Sequence, residues 1–72
     1  MPKLPSFTPI EIIKILQKKG FILDRIKGSH HILFNEKTKI RVVVQLHKMD
    51  LPKGTIHEII KQSGQTEEDF NE

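Results

Sequence analysis

Residues 30–46, HHILFNEKTKIRVVVQL, decide the fold. The second half, Ile40 to Leu46 (IRVVVQL), is rich in β-branched side chains and is the clearest strand of the chain. The first half, His30 to Phe34, is a second strand candidate, and the NEKTK between them is a polar connection suited to a hairpin. Upstream, KGS at 27–29 is a turn signal, and Phe21 to Ile26 is rich in strand formers. Three strands joined by two short turns make an antiparallel meander.

A helix is predicted on either side of the meander. Thr8-Pro9-Ile10-Glu11 is a strong helix start: Thr8 caps, Pro9 suits the first helical position, and Glu11 reaches back to close a capping box. Ile10, Ile13 and Leu16 follow helical spacing, with Ile12 broadening the stripe, and Gly20 stops the helix. After Leu51-Pro52, a second helix is predicted over 53–63, with Ile56, Ile59 and Ile60 as its apolar stripe and Gly64 as its stop. QTEEDF forms one more turn capped by Thr66, with Phe70 folded back on the core. The fold class is α+β. Both helices have one apolar side, so both cover one face of the sheet and leave the other to water or a partner. Phe7, Phe21 and Phe70 belong to the core; Phe34 suits either face.

At 72 residues the chain makes one domain, 1–72, with a thin core. The absence of cysteine excludes disulfides and thiolate zinc sites. The amino end lacks the apolar region of a signal peptide, and no apolar run approaches a membrane span of ~18 residues. The expectation is a soluble, cytoplasmic chain with no membrane association. Net charge is +3, but four of the nine acids fall in the last six residues. Residues 1–66 carry 12 basic and 5 acidic side chains, a balance of +7, which favours a polyanion or an acidic protein surface.

Two histidines follow the 27–29 turn. Side chains alternate across a strand, so His30 and His31 point to opposite faces and do not share a site without a bulge. An imidazole titrates near neutrality and suits general acid–base chemistry. RNA cleavage fits that tool: a base takes the 2′-OH proton, an acid protonates the departing 5′ oxygen, and nearby lysines stabilise the phosphorane-like charge. Lys27 lies three residues before His30, across a turn whose backbone N–H groups suit a phosphate. His47 ends the third strand, and the antiparallel hairpin brings that end towards the start of the second. His57 lies off its helix stripe and is expected in solvent. The histidines lack metal-ligand spacing, Ser29 lacks an oxyanion-hole signature, and there is no glycine-rich phosphate loop. With four Phe and neither Tyr nor Trp, phosphate and 2′-OH contacts outweigh base stacking. The residues alone leave three readings open: an enzyme, a non-catalytic RNA binder, or a protein-interaction module.

The pieces KKGF after the first helix, GSHH opening the second strand, a histidine after the third, and LPKGTIHEIIKQSG as the second helix together resemble the HicA (YcfA-like) toxin family, from Thr8 to about Phe70. The resemblance implies a double-stranded-RNA-binding-domain-like α-β-β-β-α fold with a three-stranded antiparallel sheet. It implies a ribosome-independent endoribonuclease that cuts mRNA and stops growth, neutralised by a HicB-type antitoxin that covers the site and is itself linked to operator DNA. The family's catalytic histidine, directly after Gly-Ser, falls on His30. His47, Lys27 and Ser29 are then the candidates for a second acid–base group or substrate contact. Gly28, Arg25, Arg41 and Lys48 would hold the RNA, with no metal and no small-molecule cofactor. Gln45 departs from the pattern, standing where the family often has proline two residues before the later histidine. The alternative is a non-catalytic double-stranded-RNA-binding or protein-interaction module of the same fold.

Overall fold

The computed structural model describes residues 6–46 and 49–70. Its elements run α1 (Pro9–Lys18), β1 (Ile22–Lys27), β2 (His30–Asn35), β3 (Ile40–Gln45), α2 (Lys53–Ser63) and α3 (Glu67–Phe70). The strands form one antiparallel sheet in the order β1-β2-β3, so among the described residues each outer strand is paired along one edge only. The α-β-β-β-α order and the open sheet agree with the double-stranded-RNA-binding-domain-like expectation.

Local chemistry sets the helix starts. The Thr8 N–H donates to Glu11 Oε1 at 2.9 Å, and the Glu11 N–H donates to Thr8 Oγ1 at 3.3 Å, closing the capping box. Thr66 and Asp69 repeat the device at α3, with the Thr66 N–H donating to Asp69 Oδ2 at 2.9 Å. Each capping carboxylate is held below its usual pKa, foremost by the backbone N–H it accepts from. Gly64 ends α2 in the left-handed conformation, φ 75°.

The core gathers Ile12 and Leu16 of α1, Ile56, Ile59 and Ile60 of α2, and Leu33, Val42 and Val44 of the sheet, with Phe7, Phe21 and Phe70 closing its ends. One sequence expectation shifts here. The buried stripe of α1 runs through Pro9, Ile12 and Leu16, whereas Ile10 is 52% exposed. Pro9 occupies a core place at the first helical position, and this rotates Ile10 outward by a helical step.

Asn35 is the buried polar joint of the fold. Its Oδ1 accepts from the backbone N–H of Lys37 (3.0 Å) and Thr38 (3.2 Å), shaping the β2–β3 turn, and its Nδ2 donates to the Lys19 carbonyl at 3.4 Å. Lys39 closes that turn in the left-handed region, φ 62°. The same side chain therefore shapes the hairpin and ties it to the end of α1.

Candidate active site

The site is built on the β1–β2 turn. Lys27 pairs with His30 in register, leaving Gly28 and Ser29 as a two-residue loop. Gly28 has φ 61° and Ser29 does not share that sign, the pattern of a type II′ turn. The tight turn fixes the register, and the register fixes the faces. On β2, Leu33 and Asn35 are buried under the helices, so His31 shares their face. His30, Ile32 and Phe34 occupy the other, uncovered face.

Register then sets three side chains in a row across the open face: Lys27, His30 and Gln45, one from each strand. Directly opposed side chains in neighbouring strands lie roughly 5 Å apart at Cβ, so His30 is flanked by a cation on one side and an amide on the other. All three are exposed. Among the described residues, none of their side chains has a hydrogen-bond or ion-pair partner. His31, between Ile26 and Val44 on the helix side, is half-buried, and its Nδ1 is enclosed without a hydrogen-bond partner. The two imidazoles thus face opposite ways, as strand alternation requires.

The remaining candidates fall into separate places. The Leu46 N–H donates to the Ser29 carbonyl at 2.7 Å, holding the end of β3 against the turn. The expectation that hairpin topology brings those two chain ends together therefore holds, while His47 and Lys48 lie outside the described residues. Arg25 and Arg41 occupy the open face, but Asp24 sits between them, 3.7 Å from Arg25 and 3.8 Å from Arg41. A bulge at Asp24, where the β1–β2 register slips, brings that carboxylate to the same concavity as both guanidinia. Arg41 also lies over the Phe34 ring, 4.8 Å from its centroid, which places Phe34 on the open face. His57 is exposed on α2 and pairs with Glu67 of α3 at 3.2 Å. Among the described residues, no group of three or more His, Cys, Asp or Glu is placed to hold a metal, and no helix is long and apolar enough to cross a membrane.

Beside the row, a cleft of about 430 Å³ follows the free edge of β3. His30, Gln45 and Thr55 supply its polar groups, and Val43, Leu51, Pro52 and Ile59 its apolar walls. Gln45 and Thr55 were not expected at the site. A hairpin centred on Lys37 and Thr38 pairs position 30 with position 45, so strand arithmetic alone points to Gln45. No comparable signal marks Thr55, which arrives through the packing of α2.

In chemical terms, the open face offers an accessible imidazole for proton transfer, a neighbouring ammonium for phosphate charge, and at its side a cleft with apolar walls. No curated protein matches the chain. The sequence model of the family described as "HicA toxin of bacterial toxin-antitoxin" matches residues 11–65, from the first turn of α1 to just past α2. Membership of a toxin–antitoxin family implies an antitoxin as partner. The match spans the whole sheet, all of α2 and all but the first two residues of α1, and the chain belongs to the HicA toxin family.

Proposed function

We propose that this chain is an endoribonuclease toxin that cuts mRNA in the cytoplasm by metal-independent acid–base chemistry at His30 and is neutralised by a HicB-type antitoxin. One observation carries the reading. His30 stands on the uncovered face of the sheet, exposed, in one row with Lys27. The neutral imidazole takes the proton of a ribose 2′-OH, and the 2′ oxygen attacks the adjacent phosphorus. The P–O5′ bond breaks, and the 5′ oxygen leaves with a proton from a second group, drawn from His47, Lys27 or Ser29. The products are a 2′,3′-cyclic phosphate and a 5′-OH end. Lys27 stabilises the charge that grows on the non-bridging oxygens. Gly28 and the turn backbone, with Lys48, Arg25 and Arg41, grip the flanking phosphates.

The enclosed Nδ1 of His31 favours a second assignment. A buried polar atom without a partner calls for an explanation, and catalytic use is one. In this version His31 transfers the proton and His30 contacts the phosphate.

Purified wild type, His30→Ala and His31→Ala, each incubated with an end-labelled transcript, separate these readings. His30→Ala is expected to slow cleavage roughly 10²- to 10⁴-fold while its circular dichroism spectrum is unchanged. Cleavage at the wild-type rate by that variant, with loss in His31→Ala, transfers the role to His31. Wild type that shifts RNA without cutting it is a non-catalytic binder; neither shift nor cleavage leaves a protein-interaction module.

A further inference from the structure

The cleft along β3 differs from the rest of the open face in one respect: apart from the His30 imidazole, no ionisable side chain among the described residues lines it. The cations of the sheet, Lys27, Arg25 and Arg41, lie outside it. Among the described residues a phosphate finds no lysine or arginine there, whereas an uncharged planar ring finds apolar walls and a few polar groups, the usual make-up of a small-ligand site. The volume of about 430 Å³ is ample for such a ring. Gln45 faces His30 directly across the β2–β3 ladder, one strand spacing away, so a ring in the cleft belongs to a nucleotide next to the phosphodiester that His30 meets. Neither the Gln45 amide nor the Thr55 hydroxyl has a partner among the described residues, and both are exposed.

We infer that this cleft is a nucleobase subsite, in which the Gln45 amide reads the base flanking the scissile bond and prefers adenine. The inference rests on the RNA-cleaving reading above and adds a specificity-determining residue to it. An amide offers one donor and one acceptor side by side, the complement of the adenine N6–H and N7 edge. Guanine presents two adjacent acceptors on that edge and is best matched by a cationic fork, which none of the described lining residues supplies. Thr55 adds a hydroxyl that donates or accepts and so supports binding without choosing the base.

The test uses the whole ¹⁵N-labelled protein, titrated by NMR with 3′-AMP, 3′-GMP, 3′-CMP and 3′-UMP, beside end-mapping of cut transcripts. 3′-AMP is expected to shift the Gln45 side-chain amide and Thr55 saturably and more tightly than the other three nucleotides. Gln45→Leu is expected to weaken 3′-AMP roughly five- to hundredfold and to flatten the base preference at the cut. Gln45→Glu keeps the side-chain length but donates nothing, and should lose the same preference. Equal binding of all four nucleotides, shifts confined to the Lys27 and Arg25 region, or an unchanged preference in Gln45→Leu would overturn the inference. Selective 3′-AMP binding in a protein that cuts no RNA would retain the subsite and discard the nuclease. Cleavage with no base preference would do the reverse.

Discussion

The two faces of β2 are one residue apart and serve opposite ends. His31, Leu33 and Asn35 face the helices, and Leu33 and Asn35 are buried there. His30, Ile32 and Phe34 alternate with them and face outward, joined by Lys27, Arg25, Arg41 and Gln45 from the neighbouring strands. In so small a domain the covered face provides nearly all the stability, which leaves the open face free to carry charge and unpaired polar groups. Strand periodicity alone enforces the division, so a shift of one residue in register would exchange the roles.

Substitutions can break this comparison. The largest expected effect is catalytic, the loss at His30 described above, without loss of fold. Next, Leu33→Ala should cost about 2–5 kcal/mol in urea unfolding, because it opens a cavity in a fully buried site. Ile32→Ala, its neighbour on the open face, should cost under about 1.5 kcal/mol. Equal costs would mean the faces are not energetically distinct. Asn35→Ala, which leaves two turn N–H groups and the Lys19 carbonyl without their partner, should cost about 1–3 kcal/mol, read from the same melts.

Smaller effects sharpen the picture. Asp24→Asn removes the carboxylate that pairs with Arg25 and Arg41, and RNA affinity should rise roughly two- to fivefold at low salt, as expected for exposed pairs. The gain should vanish as salt screens the surface. No gain at any salt would place both arginines outside the RNA contact. On the helix side, the Glu11 and Asp69 caps have folded-state pKa values below their unfolded ones. Their contribution is therefore fully present above the unfolded values, 4.5 for Glu11 and 3.8 for Asp69, and is lost as pH falls through the lowered ones. Urea midpoints measured from pH 6 down to pH 2.5 should decline there, and less steeply in Thr66→Ala.

How much of this was legible beforehand follows from the range of each signal. The caps at Thr8 and Thr66, the 53–63 helix and the three strands rest on neighbours within a few residues, and they emerge from sequence with boundaries off by a residue at most. The opposite orientation of His30 and His31 follows from alternation alone. The stripe of α1 was misplaced towards Ile10 because hydrophobic spacing does not register a proline that packs. Asp24 was unreadable as a partner of Arg25 and Arg41, since a bulge obeys tertiary geometry and not the two-residue period. The cleft was equally hidden, because its Thr55 and Ile59 come from a helix that only folding brings to β3.

The acidic turn α3 has a consequence for how a polyanion meets this molecule. Helices and their caps hold five cations (Lys14, Lys18, Lys19, Lys53, Lys61) against five anions (Glu11, Glu58, Glu67, Glu68, Asp69). Strands and hairpin turns hold five cations (Arg25, Lys27, Lys37, Lys39, Arg41) against two anions (Asp24, Glu36). The sheet and its turns are thus net basic while the helices are balanced by the acids of α3, so an anionic partner is attracted to the sheet more than to the helices.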